Sequence, residues 1–346
     1  MRQVVIDELK AVRARYADPR RTQIIQMEEG ETANDRLTTR DMMPEKTVWV
    51  AVSRDNHIAR TDDDKSFRQW GLDAPKMVLR TNTHHTLYIV ADNGETAALS
   101  VQALPVADDP EKGTLVTAIA PFMAGHPLKT IFSAPADVSE EDGQIFSVSR
   151  MGMVKRSLLS DLPGPSANLF TLVKINNGDS LSTLLFTKGG QDIFIATKDG
   201  MGIRFNEEEA RVMGLVAAGV NGIKLRKGDF VIGAGNASQR GEILLVTNRG
   251  SAKRIDPELF PTQGRYGLGV IAWRLPDHEH VIGSMIGLLT HNGVLHFKEA
   301  ASRLVRVTDA PSCNRNQKGA AIIDVKKDDD ILEMTIPLDM MMIFGN

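Results

Sequence analysis

A short strand–turn–strand unit recurs along this chain, and the recurrence restricts the fold more than any single residue does. The clearest copy opens the stretch from Asp192 to Gly233. Ile193-Phe194-Ile195-Ala196 is an apolar strand, Asp199-Gly200 is a turn that reaches φ > 0 at little cost, and Ile203-Arg204-Phe205 is the return strand. Ile223-Lys224-Leu225 and Val231-Ile232 read as two more strands, which makes one four-stranded blade. The core repeats as IFSVSRMGMVKRS (145–157) and ILLVTNRGSAKRI (243–255). Weaker copies are VWVAVSRDNHIART (48–61), LYIVADNGETAAL (87–99) and IGLLTHNGVLHFK (286–298). Their turns fall at Asn56, Gly94, Gly152, Gly200, Gly250 and Gly293, in steps of about 38, 58, 48, 50 and 43 residues. The spacing predicts an all-β, six-bladed β-propeller of four-stranded blades. An open multi-sheet sandwich is the alternative, and repeats this regular favour radial stacking instead.

The propeller is expected over residues 46–346, after a linker helix and lead-in segment over 1–45. In residues 2–16, Val5, Leu9, Val12 and Tyr16 fall at helical spacing on one stripe, and Ala17-Asp18-Pro19 ends the helix. The stripe is expected to be the end of a longer helix or of a coiled-coil arm. At the other terminus, Met340-Met341-Met342-Ile343-Phe344 reads either as a closing strand or as a frayed tail.

The net charge of −3 conceals an asymmetry. Residues 151–325 hold 21 Lys and Arg against 16 Asp and Glu, whereas residues 47–150 hold 9 against 14. A polyanion would meet the later blades first. The single cysteine, Cys313, permits no disulfide within the chain and points to a reducing compartment. With no apolar leader and no run of 18 apolar residues, a cytoplasmic protein is expected.

No constellation for catalysis stands out. The eight histidines are scattered, and His84-His85 point to opposite faces of a strand with no third ligand nearby. There is no phosphate-binding glycine loop and no nucleophile beside a base. No cofactor or metal site is expected. What does repeat is basicity in one register after each turn: Lys155-Arg156, Arg204, Lys253-Arg254 and Lys298. In successive blades this register would line one rim, joined by Arg211, Arg265, Arg315 and Lys318 from the long loops; Arg68, Lys76 and Lys224 complete the candidate DNA contacts. Regularly spaced positive charge along a curved edge suits bent duplex DNA, gripped through phosphates with little sequence readout. Edge strands also carry Lys and Arg simply to block aggregation.

Specific motifs give these residues a family. Val212-Met213-Gly214 with Gly219-Val220-Asn221-Gly222-Ile223-Lys224-Leu225 matches an R-x-M-G…G-V-x-G-I-x-L signature. Tyr16-Ala17-Asp18-Pro19-Arg20-Arg21-Thr22 is similar to a Y-G-D-E-R-R-T corner, and Thr83-His84-His85-Thr86-Leu87 to a second-blade opening strand. Pro261-Thr262 with Gly269-Val270-Ile271 matches a later blade. The chain resembles the C-terminal domain of the bacterial type IIA topoisomerase A subunit, the gyrase A family first and topoisomerase IV second. The resemblance implies a six-bladed β-pinwheel that wraps double-stranded DNA on its rim. It implies two partners, a breakage–reunion domain and a gyrase B-type subunit, with ATP-driven supercoiling by the full enzyme. ATP and Mg²⁺ belong to that enzyme, and no catalytic residue is expected in this chain.

One motif departs from the family. The first-blade box Q-R-R-G-G-K-G is replaced by Arg68-Gln69-Trp70-Gly71-Leu72-Asp73-Ala74-Pro75-Lys76, which keeps Gln69, Gly71 and Lys76 and leaves Arg68 as the one arginine. Two readings follow. In one the chain binds and bends duplex DNA. In the other it is a divergent propeller that binds protein or regulates, with wrapping weakened by the altered box.

Overall fold

The computed structural model describes residues 5–6, 8–10, 44–120, 125, 127–166 and 168–344. The chain divides into two compact units, Met1–Pro44 and Glu45–Asn346. In the first, residues 5–6 and 8–10 are helical, with Val5 and Leu9 exposed. Val12, Tyr16 and the Tyr16–Thr22 corner lie outside the described residues.

The second unit is built from six antiparallel blades. Each holds a hairpin and a third strand beside the hairpin's first strand. Blade 1 is Thr47–Val52, His57–Arg60 and Met77–Asn82; blade 2 is Thr86–Ala91, Glu95–Ser100 and Leu128–Ala134. Blade 3 is Gln144–Ser149, Met153–Leu158 and Leu181–Thr187; blade 4 is Asp192–Thr197, Met201–Asn206 and Val231–Asn236. Blade 5 is Glu242–Thr247, Ser251–Ile255 and Val281–Gly287; blade 6 is Asn292–Phe297, Arg303–Arg306 and Ile331–Thr335. The third strands of blades 1 and 2, 3 and 4, 4 and 5, and 5 and 6 touch one another, which places them on the inner side.

Stacking buries the blades on both faces. Thr86–Ala91 is buried at every position, and Gln144–Ser149, Asp192–Thr197 and Glu242–Thr247 are buried at all but the first. These strands therefore read as continuous apolar runs without alternation. Apolar clusters cross the joints: Phe146 and Val154 pack with Ile193, Ile203 and Phe205, Phe194 with Ile243, Leu245 and Phe260, and Leu244 and Val246 with Leu295 and Phe297.

The fourth strand of a blade comes from its neighbour. Thr114–Leu115, Phe170–Thr171, Val220–Asn221, Val270–Ile271 and Ala320–Ala321 each follow the hairpin of one blade and pair with the return strand of the blade before it. This corrects the expectation of four consecutive strands per blade. Ile223-Lys224-Leu225 is not a strand of blade 4; Val220–Asn221 just before it closes blade 3.

Each donated strand is locked by the hairpin turn it reaches. The carbonyl of Gly94 accepts from Leu172 N at 3.0 Å, that of Gly152 from Gly222 N at 2.8 Å, that of Gly200 from Ala272 N at 2.8 Å and that of Gly250 from Ile322 N at 3.0 Å. A Cβ on Gly94, Gly200 or Gly250 would lie 1.9, 2.4 or 2.3 Å from the carbonyl oxygen of Val173, Trp273 or Ile323. These glycines also sit at φ near +80°. They are required twice, by conformation and by close approach. Asn56 holds the same place in blade 1 at φ 62°, its carbonyl accepting from Val116 N. The sixth turn departs from expectation: Gly293 lies inside a strand, opposite Val305, and the hairpin turns at 298–302.

Charged side chains staple the same joint. Lys155 Nζ donates to Leu172 O at 2.8 Å and to Leu215 O, and Lys253 Nζ donates to the carbonyls of Arg315 at 2.9 Å, Gln317 at 3.2 Å and Asn314 at 3.4 Å. Both lysines are fully buried, and burial pulls each ammonium down to about 8. One residue on, Arg156 Nε reaches Ala210 O at 2.5 Å and Arg254 Nε reaches Ala310 O at 2.9 Å. Carboxylates cap the turns from the other side. Asp229 accepts from Asp199 N and Thr197 Oγ1, and Asp329 from Glu299 N and Ala300 N.

The ring closes differently. Blade 6 has three strands, and in the fourth place Gly71 and Ser302 exchange backbone hydrogen bonds of 3.0 and 2.9 Å. Arg54 Nη2 donates to Ser302 Oγ at 2.8 Å, and His296 bridges Ser302 and Thr335 through its two ring nitrogens. Burial holds that imidazole near 4, so it is neutral at pH 7. Blade 1 gains a fifth strand, because Leu338–Asp339 pairs in parallel with Met77–Asn82. Met340–Phe344 then forms one helical turn with Met340 buried. The terminal apolar run is thus neither a closing strand nor a frayed tail.

Two stability measurements test these joints. Gly228 has φ +83° but open space where its Cβ would go, whereas Gly200 has both a positive φ and the Trp273 carbonyl. Gly228→Ala should lose about 1 kcal/mol in urea unfolding, and Gly200→Ala clearly more; equal losses would remove the close contact from the account. Lys253→Met should cost roughly 1–3 kcal/mol by orphaning buried carbonyls. Its deficit should also grow with pH: between about 8 and 10.5 the unfolded chain holds the proton that folded Lys253 has released, so wild-type stability rises relative to the variant. A pH-independent difference would mean that the folded ammonium keeps its ordinary affinity.

Candidate nucleic-acid interface

The basic register expected to form an open rim is mostly turned inward. Lys155, Arg156 and Lys253 are buried, and Arg204 and Arg254 are half-buried. Arg204 Nε pairs with Asp192 at 2.9 Å and its Nη1 donates to Pro257 O, while Arg254 pairs with Glu242. The physical reason is the donated strand. The loop leading into it passes over the return strand, covers those side chains and offers them carbonyl oxygens. The arginine clip recurs at Arg60, Arg156, Arg204 and Arg254, each bridged in parallel by the next loop at Val106, Val212, Thr262 and Ser312. Arg60 was not singled out from the sequence, although it stands four residues after Asn56 as Arg204 does after Gly200.

Three further candidates are tied down in part. Arg265 donates through Nε to Glu209 O at 3.2 Å and through Nη1 to Asn221 O. Arg315 Nη1 reaches Ile271 O at 3.4 Å, with its guanidinium 5.7 Å from the Phe260 ring centre. Lys76 Nζ donates to Leu128 O at 3.3 Å. Lys298 is exposed in the sixth turn, not on a return strand, and its Nζ lies 3.8 Å from Glu299.

Arg68, Arg211, Lys224 and Lys318 remain exposed, with no ion pair among the described residues. Lys224 has counterparts that motif reading missed. Lys174, Lys224 and Arg274 each stand directly after a residue packed on a turn glycine, namely Val173, Ile223 and Trp273. All three are exposed. The hydrogen bonds that fix the preceding residues are the same at each joint, from Leu172, Gly222 and Ala272 to the carbonyls of Gly94, Gly152 and Gly200. Three successive joints, between blades 2 and 3, 3 and 4, and 4 and 5, therefore present one cation at an equivalent outer position. The next joint has Asp324 there, followed by exposed Lys326 and Lys327. The signal was available in the fifty-residue spacing of 174, 224 and 274. Several acids are meanwhile directed inward: Asp229 and Asp329 are buried in turn caps, and Glu207 accepts from Thr187 Oγ1 and Gln191 N.

Among the described residues no group of three or more His, Cys, Asp or Glu is placed to hold a metal ion, and no helix is long and apolar enough to cross a membrane.

Comparison with known proteins agrees with this architecture. Residues 143–188, 191–238 and 241–286, which are blades 3, 4 and 5, match the family described as DNA gyrase C-terminal domain, beta-propeller. The DNA gyrase A protein of Salmonella typhimurium is 26% identical over 347 residues, covering 95% of this chain and 38% of that protein. Its Staphylococcus epidermidis counterpart is 29% identical over 282 residues, covering 78% and 31%. The chain thus spans about two-fifths of the length of gyrase A relatives such as these. In fold it is similar to the C-terminal domain of DNA topoisomerase IV, with TM-score 0.72, 22% identity and coverage of 84% and 93%. The gyrase A C-terminal domain superposes with TM-score 0.68 and 15% identity, covering 84% of this chain and all of that one. Three consecutive blades thus match the DNA gyrase C-terminal domain repeat, and DNA gyrase A proteins are similar to this chain along almost its whole length.

Proposed function

We propose that the propeller binds duplex DNA around the outer edge of blades 2 to 5 and bends it, as the C-terminal domain of a gyrase-like topoisomerase A subunit. The observation that carries this reading is the ladder of Lys174, Lys224 and Arg274 at equivalent positions on successive blade joints. Arg211, Arg226, Lys227 and Lys318 are further exposed cations on the loops of these repeats. A duplex following this edge gains a phosphate contact at each joint, and those contacts offset the few kcal/mol needed to bend it. Nothing in the register reads base edges, so the binding carries little sequence preference. In this reading the domain supports ATP-dependent supercoiling by an enzyme whose breakage–reunion domain and B-type subunit supply the tyrosine, ATP and Mg²⁺ chemistry, in the cytoplasm. The chain itself is non-catalytic.

Fluorescence anisotropy across a salt series tests the ladder. Replacing Lys174, Lys224 and Arg274 together by Gln should lower the slope of log K against log[salt] by about 3, near 0.9 for each phosphate no longer neutralised. An unchanged slope would reject this edge as the binding surface. Absence of duplex binding by the wild-type chain at low salt would favour the protein-binding reading instead. Wrapping is measured separately, as the linking-number shift of a relaxed plasmid closed in the presence of the chain.

A further inference from the structure

The joint between blades 6 and 1 carries chemistry that the ladder does not use. Trp70 stands in the loop after the first hairpin with half its surface (51%) open to solvent. The exposed Arg68 guanidinium lies 5.6 Å from the Trp70 ring centre. The antiparallel pair Gly71–Ser302 sets Trp70 opposite Arg303, which is exposed, as is Arg306 beyond it. Leu72 and Leu304 flank the same seam, 65% and 37% exposed. An indole and two leucines are thereby gathered with Arg68 and Arg303 where the loop of blade 1 meets the return strand of blade 6, the Arg303 guanidinium lying 5.8 Å from the Phe297 ring centre.

The backbone under the indole is fixed. The Gly71–Ser302 hydrogen bonds, Arg54 on Ser302 Oγ and buried Phe67 anchor both ends of the segment. An anchored, open indole among guanidinium groups has the chemistry of a stacking platform for nucleobases. The seam is poorly suited to a long phosphate track, because exposed Asp62, Asp63 and Asp73 belong to the same loop. It therefore favours a short, base-exposing element over an extended duplex backbone.

We propose that Trp70, with Arg68 and Arg303 beside it, stacks on bases that are unpaired or unstacked at a sharp bend, so that the closing seam senses DNA distortion while blades 2 to 5 hold the duplex. This rests on the DNA-binding reading above. A fully paired duplex would pass the seam with weak contact, and a duplex containing an unpaired stretch would be held in place there.

The test compares the whole chain and its Trp70→Ala and Trp70→Phe variants on two DNAs of equal length, one fully paired and one with a central mismatched bubble. Anisotropy gives affinity, and 2-aminopurine in the bubble reports stacking. Wild type should prefer the bubble by about tenfold and quench 2-aminopurine. Trp70→Ala should lose the preference and the quenching while keeping its affinity for the paired duplex, and Trp70→Phe should keep most of both. An undiminished preference in Trp70→Ala, or none in wild type, overturns the platform and leaves duplex binding standing. Failure of wild type to bind either DNA overturns both readings.

Discussion

The contact between a hairpin-turn glycine and the carbonyl of a strand donated from the next blade holds this molecule together. At Gly94, Gly200 and Gly250 the approach leaves no room for a Cβ, and at Gly152 the nearest atom is the Ile223 side chain. The partners Val173, Ile223, Trp273 and Ile323 recur every fifty residues, because a blade is complete only when the next repeat supplies its edge. The larger buried apolar clusters then run across joints, and only a small one, of Ala51, Ala59, Phe67 and Val78, stays within blade 1 among the described residues. Stability is a property of neighbouring pairs, as in other repeat architectures.

The same donation decides which charges are open to a partner. A loop lying over the return strand needs donors for its carbonyl oxygens, and Lys155, Lys253 and the recurring arginines supply them. Carboxylates such as Asp229 fill the complementary need at turn amides. Formal charge counted along the chain therefore overstates the charge available on the surface. What is left outside is a smaller and more regular set, of which Lys174, Lys224 and Arg274 are the most orderly members.

The blade number and the position of five turns were legible in the sequence because glycine and asparagine at φ > 0 leave an unmistakable mark between apolar runs. The sixth turn was not, since Asn292-Gly293 mimics a hairpin dipeptide while serving as the start of a strand. The donated strand was also hidden: Val220–Asn221 is two residues long and has no periodicity of its own, and its partner lies some seventy residues earlier. For the site, sequence reasoning found basic positions but not their direction. A lysine on a return strand reads alike whether it faces water or three carbonyls. Lys224 was selected and Lys174 and Arg274 were not, because a motif is read once, whereas the register becomes visible only when the copies are superposed.

Blade 1 illustrates what a shared edge means for a chain made from one end. Its hairpin has formed by Arg60, yet its outer strand waits for Thr114–Leu115 and its inner flank for Leu338–Asp339. At a synthesis rate of about 5–20 residues per second, the sheet that begins first is finished last, after some tens of seconds. Until then its inner strand presents an unpaired row of amides and carbonyls, the kind of border that invites wrong partners. The two-residue parallel strand at the C-terminus therefore acts as a late seal, and its length says little about how much of the assembly depends on it.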